Sequence, residues 1–282
     1  MTESDGVEPG KDPERLAVDL RFDVPHSARV YDFLLGGKTN YDADRDAARA
    51  AVEAWPGLPV GMRHNRMFMH RVVRHLVGEY GIRQFLDIGT GIPTPPNLHE
   101  VAQGIAPESR VVYVDNDPIV LVHASALMKS APQGRTAYIE ADFRAPESVL
   151  GAPRLHEVLD LTKPVAVSLI ALVQFLRDEE DPYGIVRRLM RDLAPGSFLA
   201  MNVLTADTNP VQLAALEQEY TSQGIPLKAR TKAEAEAFFD GLDLIEPGVT
   251  LIHHWRPDED VLADGLRDAD IAGYGGVARK RA

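Results

Sequence analysis

The chain has no cysteine among its 282 residues. That excludes disulfides, thiolate nucleophiles and every metal site built on sulfur. Surplus positive charge is also lacking: 30 Lys and Arg stand against 42 Asp and Glu, a formal net charge of −12. Non-specific binding to nucleic acid or to an anionic membrane rests on cations meeting phosphates, so neither partner is expected. Long apolar runs are missing too. The longest, Val165 to Leu176, carries Ser168 and Gln174 and is too short to span a bilayer. The N-terminus is acidic and polar, unlike a signal peptide, so a cytoplasmic location is expected. What is present, 45% hydrophobic residues over this length, suits one α/β domain with an appendage, or two small domains.

One stretch organises the rest: Phe85-Leu86-Asp87-Ile88-Gly89-Thr90-Gly91-Ile92-Pro93-Thr94. An apolar run ends in a glycine turn, and Thr94 followed by Pro95 and Pro96 predicts an N-cap and a helix start. Strand, tight turn and helix open a nucleotide-type α/β fold. Two residues restrict the ligand. A dinucleotide fingerprint needs a third glycine and free N–H groups facing a pyrophosphate, and Pro93 offers no N–H. Asp87, two residues before Gly89, would repel a pyrophosphate but suits a cation. S-adenosylmethionine (SAM) has no phosphate and carries a sulfonium and an ammonium.

Around this stretch the pattern divides the chain. Residues 1–20 read as a mobile tail. Residues 21–80 read as a helical appendage: a helix from His26 stopped by Gly36-Gly37, a second capped by Asp42 through Trp55, and a third over about Gly61 to Tyr80. Residues 81–282 alternate strands and helices, with strands at Gln84–Ile88, Arg110–Val114, Arg135–Glu140, Val165–Ile170 and Ser197–Asn202. Leu242–Ile245 and Gly248–His253 read as a closing antiparallel hairpin through Glu246-Pro247-Gly248. The expectation is a Rossmann-like α/β fold: a seven-stranded, mostly parallel sheet with an antiparallel C-terminal hairpin and an N-terminal helical lid.

Three successive strands would end in acids. Asp87 ends the first. Asp115, followed by Asn116, ends the second, where it could accept from both ribose hydroxyls. Asp142 ends the third, where it could accept from an adenine amino group, with Phe143 against the purine. Each has a structural alternative: Asp115 as a helix cap, although Asp117-Pro118 is better placed for that, and Asp142 as a turn residue. Two other functions compete. An NAD-dependent oxidoreductase would use the second-strand acid on a ribose but leaves Asp87 and Asp142 unexplained. A SAM-binding regulatory protein without catalysis would carry the same cofactor site.

The chain also resembles a bacterial S-adenosyl methyltransferase family. The carriers are His26-Ser27-Ala28-Arg29-Val30-Tyr31-Asp32-Phe33-Leu34-Leu35-Gly36-Gly37-Lys38-Thr39-Asn40-Tyr41, Gly81 to Gly91, Arg110 to Pro118, Trp255-Arg256-Pro257 and Gly276-Val277-Ala278-Arg279. The resemblance implies a SAM-binding Rossmann-like domain with Gly89, Thr90 and Gly91 at the cofactor. It departs from the family where many members carry His and this chain has Gln174, and where many carry Ser-His and this chain has Asn202-Val203. Two candidate bases are thereby lost. The expected lid over the cofactor brings Tyr31, Lys38 and Asn40, with Lys38 reaching the cofactor's carboxylate. Arg66 and His70 share a helix face at i, i+4 and, with Gln174 and Asn202, are candidates for the substrate side. His253-His254 is not expected to ligate a metal, because adjacent strand residues point to opposite faces, and no metal site is expected elsewhere. The sequence therefore predicts methyl transfer from SAM to a small molecule; it identifies neither the acceptor nor the oligomeric state.

Overall fold

In the computed structural model, the residues described are 22–127 and 129–281. The tail expected over residues 1–20 lies outside them.

The apolar runs become strands β1 (Gln84–Ile88), β2 (Arg110–Asp115), β3 (Arg135–Glu140), β4 (Ala166–Leu169) and β5 (Phe198–Leu204), followed by β6 (Leu242–Leu244), β7 (Thr250–Leu251) and β8 (Gly273–Lys280). The sheet order is β3-β2-β1-β4-β5-β8-β6, with β7 also on β8. β1 to β5 run parallel; Leu86 faces Val112 on one side and Val167 on the other. β8 lies antiparallel along the whole of β5, from Phe198↔Arg279 to Leu204↔Gly273. The antiparallel C-terminal part differs in its pairing from a simple hairpin. β6 and β7 each pair with β8, one near its end (Leu242↔Lys280) and one near its start (Thr250↔Gly275), rather than with each other. Gly275 lets β8 pass beneath neighbouring side chains: a Cβ there would stand 2.7 Å from Phe68 and 2.9 Å from Ile252.

The helices are α1 (Ser27–Leu34), α2 (Asp42–Ala54), α3 (Leu58–Glu79), α4 (Leu98–Ile105), α5 (Pro118–Leu127), α6 (Pro146–Leu150), α7 (Pro153–His156), α8 (Pro182–Arg191), α9 (Pro210–Ser222), α10 (Lys232–Ala237) and α11 (Glu259–Ala263). None is long and apolar enough to cross a membrane. Alternate strand residues serve two apolar layers, as the two-residue period of a strand requires. Phe85, Val111, Ala166, Phe198 and Ala200 meet Phe68, Val72, Val73 and Leu76 of α3 and Leu98 and Ala102 of α4. Leu86, Val112, Val167, Leu199 and Met201 face the other way, onto Val149, Leu155, Ile185, Leu189 and Phe238. α3 therefore forms part of the core layer on its face. Its buried Arg71 also donates to the carbonyls of Ile252 (2.6 Å) and Trp255 (3.0 Å).

The helix after the glycine turn starts later than the Thr94-Pro95-Pro96 pattern predicts. Asn97 precedes α4, and the Glu100 carboxylate accepts from the Asn97 N–H at 2.5 Å, so an Asn-x-x-Glu pair sets the helix start. The carbonyls of Thr94 and Pro96 are instead held by Arg66, and that of Pro96 also by His70. α1 and α2 are joined at the β2 end by charge. Arg29 Nε lies 3.3 Å from Asp44 and 3.9 Å from Asp117, all three side chains being buried.

Candidate active site

The strand order reverses at β1, which has β2 on one side and β4 on the other. In open α/β sheets the ligand crevice lies at such a point, beyond the strands' carboxyl ends. A cavity occupies that place. It is lined by the glycine turn, by the ends of β2 to β5, by α1 and α3, and by α9.

The turn is built by two glycines in the left-handed region, Gly89 at φ 72° and Gly91 at φ 66°. The N–H groups of Gly89 and Thr90 donate to the Val114 carbonyl at 2.8 and 3.2 Å, and that of Gly91 donates to the Asp115 carboxylate at 2.8 Å. The three donors that a dinucleotide fold would aim at a pyrophosphate are thus engaged within the protein. With Pro93 lacking an N–H and three carboxylates nearby, the turn does not fit a phosphate cradle. It fits a phosphate-free ligand bearing positive charge, and the dehydrogenase alternative loses its structural basis.

Asp87, Asp115 and Asp142 all line the cavity, with Asn116 and Phe143. Burial pushes the Asp87 carboxyl up to about 6, while Ser168 and Arg66 pull in the opposite direction. Asp115 is also raised, chiefly by burial, and its two backbone hydrogen bonds, from Asp117 (3.0 Å) and Gly91, oppose that. Asp117 caps the next helix by accepting from the Ile119 N–H at 2.9 Å, which leaves Asp115 to the cavity. Asp142 lines the cavity and accepts from the Arg144 N–H at 2.8 Å in its own turn.

The appendage contributes unevenly. Tyr31 lines the cavity and donates to the Met62 carbonyl at 3.2 Å, with burial pushing its phenol up to about 12. Arg66 lines it too, although its guanidinium is committed to the loop before α4. Asn40 lies outside the lining: its amide donates to Asp32 (2.7 Å) and to the Gly37 carbonyl (3.1 Å) and accepts from Arg45 (2.7 Å), which ties it into the α1–α2 loop. Lys38 is exposed and outside the lining. His70 donates to the Pro96 carbonyl at 2.9 Å and braces the loop rather than the cavity. Asn202 likewise braces the wall, accepting from the Ala171 N–H at 2.8 Å and donating to Asn65. Gln174 reaches the cavity, buried, with its amide oxygen lacking a hydrogen-bond partner.

Sequence reasoning missed His26, which lines the cavity and places Nδ1 3.2 Å from Asp117, and the whole contribution of α9, Leu216 and Tyr220. His26 stands at the start of the family-like segment, a signal that was there to use. The α9 residues look like ordinary core positions. The expectation for His253 and His254 is also corrected. They sit in a turn after β7, not in a strand, and both imidazoles approach Asp268, at 3.2 and 2.6 Å. Their ligand atoms lie within 4.8 Å of one another, so opposite facing no longer argues against metal ligation there.

The sheet order and the cavity at its reversal define a class I, Rossmann-like methyltransferase fold. The plantazolicin methyltransferase solved with S-adenosylhomocysteine shares that fold, with a TM-score of 0.51 at 12% identity over 90% of this chain and 95% of that one. The chain belongs to the S-adenosyl methyltransferase family, whose model matches residues 13–281, and the cofactor is therefore SAM. A DUF574 family protein from Streptomyces avermitilis MA-4680 is similar at 56% identity and a TM-score of 0.90, covering 93% of this chain and 99% of that one. A candidate methyltransferase from Thermobifida fusca YX is similar at 41% identity and 0.87, covering 96% and 100%. No protein of curated function matches the chain.

Proposed function

We propose that this chain transfers the methyl group of SAM to a small molecule bound in the same cavity. The observation that carries the reading is the glycine turn, whose N–H groups are engaged within the protein while three carboxylates stand around it. In this reading Asp115 accepts from the ribose hydroxyls. Asp142 and Phe143 hold the adenine. Asp87 faces the positive end of the cofactor's amino-acid portion, where its charge is worth more than in bulk water. Tyr31 and Arg66, with the first turns of α1 and α3, cover the cavity as a lid and exclude water. SAM supplies an activated methyl on a positive sulfur, so the protein's part is alignment of the acceptor and desolvation. The confinement of the cavity between the strand ends and α1, α3 and α9 supports a small acceptor.

Two measurements test this. Calorimetric titration should give binding of SAM and S-adenosylhomocysteine and none of NAD; binding of NAD alone would overturn it. Incubation with methyl-labelled SAM and a fractionated cell extract should place the label on a low-molecular-weight product. Tight SAM binding with no transfer under any fraction would favour a SAM-binding regulator instead.

A further inference from the structure

The cavity is not uniform along the sheet. It runs from Asp142 at the β3 end to Leu204 at the β5 end, four strand spacings or about 19 Å. The three carboxylates sit at the ends of β1, β2 and β3. Beyond β1 the lining changes character. Among the lining residues that follow β4 in the chain, such as Leu176, Leu204, Leu216 and Leu227, only Gln174 and Tyr220 can hydrogen-bond through side chains and none is charged; Tyr31 and Arg66 line the cavity from the helices opposite, the first bonded to the Met62 carbonyl and the second to the loop before α4. Met62 of α3 faces the cavity from its other wall. The Gln174 main-chain carbonyl accepts from the Lys228 N–H at 2.8 Å, which fastens the segment bearing Leu227 across this end. The Gln174 amide oxygen itself is buried and unpartnered. An amide left unpaired in an apolar site awaits a ligand donor, since leaving it unmade is unfavourable. Tyr220 stays a neutral phenol, because burial raises it far from ionisation.

We propose that this end is the acceptor subsite, and that it takes an uncharged, largely apolar nitrogen heterocycle whose N–H donates to the Gln174 amide oxygen. This rests on the SAM reading above, which assigns the carboxylate end to the cofactor. A charged acceptor would shed its hydration here without meeting an available counter-charge, since the guanidinium of Arg66 on the α3 wall is held by the Thr94 and Pro96 carbonyls. Among the described residues no imidazole or carboxylate lines this end to take a proton, so the nucleophile must present a lone pair unaided. Uncharged nitrogen does. As the bond from the ring's pyridine-type nitrogen to the methyl carbon forms, the carbon–sulfur bond breaks and its electron pair remains on sulfur; the cationic product is neutralised when the ring's other nitrogen, the N–H, loses its proton to water.

The test uses the full chain saturated with S-adenosylhomocysteine and three probes: benzimidazole, benzimidazole-5-carboxylate and naphthalene, with affinities from saturation-transfer NMR titrations. Benzimidazole should bind, and its carboxylate at least tenfold more weakly. Gln174→Leu should weaken benzimidazole at least fivefold while leaving naphthalene within twofold. The proposal is overturned if the carboxylate binds as well as the parent, if Gln174→Leu leaves benzimidazole unchanged, or if S-adenosylhomocysteine binds and none of the probes does. Failure of S-adenosylhomocysteine itself to bind would instead bring down the cofactor assignment, and this subsite with it.

Discussion

In the proposed SAM reading, Asp87 is the residue on which charge and cofactor meet. Its carboxyl is pushed up to about 6 from an ordinary 3.8, chiefly by burial. The sign for stability follows from linkage. Below about pH 3.8 it is protonated in both states and the raised value stabilises the fold fully. Between there and pH 6 the unfolded chain ionises first, so that contribution fades as pH rises. For binding the sign reverses, because only the ionised form attracts a cation. A group titrating at about 6 is ionised in roughly a tenth of molecules at pH 5, so SAM affinity should rise about tenfold between pH 5 and 7.5. Asp87→Asn should flatten that profile. Calorimetry at the two pH values decides it, and an equal rise in the variant would remove Asp87 from the cofactor site. The acids were legible in the sequence because a strand end is a place as well as a residue type. Asn40 and Lys38 were not, since the loop that contains them folds back on Asp32 and nothing in the spacing records that.

At the scale of elements, the glycine turn and β8 show opposite limits of sequence reasoning. The turn was readable as strand, glycines and helix, and its tightness has a structural measure. A Cβ on Gly89 would stand 2.6 Å from Leu172, on the loop after β4, at a φ of 72°. Gly81 has a similar φ of 63° but open space around it. Gly89→Ala should therefore lose stability through added backbone strain and overpacking, roughly 2–4 kcal/mol together, against about 1 kcal/mol for Gly81→Ala. Thermal denaturation should show the larger drop in Tm for Gly89→Ala; equal drops would mean that Leu172 gives way freely. β8 was unreadable because Gly273, Gly275 and Gly276 deplete it of the β-branched pattern that marks a strand. It is a strand because those glycines admit Phe68, Ile252 and Phe239 against its backbone, a tertiary cause that no local window contains.

For the molecule as a whole, the question is what moves. The sheet and its two apolar layers hold β1 to β5, β8 and most of α3 together, and that framework was largely foreseeable from alternation alone. What alternation could not say is that α1 and α2 attach by polar bridges and small apolar clusters apart from the main layers. Arg29 links Asp44 and Asp117, the Asp44 carboxylate accepts from the His26 N–H at 2.9 Å, and α2 otherwise packs on α9 through small clusters such as Ala51, Trp55 and Leu213. Their apolar clusters are small and separate from the two main layers, and a region seated that way and tied by polar bridges can open below the global unfolding free energy. If α1, α2 and the start of α3 form a lid, S-adenosylhomocysteine should slow amide hydrogen exchange in peptides spanning 26–41 and 58–70 by tenfold or more. Exchange in β5 and β8, already closed by their seven-residue pairing, should change little. Uniform protection across the chain would indicate global stabilisation by mass action. Protection confined to the glycine turn, with 26–41 unchanged, would show that these helices stand beside the cofactor without closing over it.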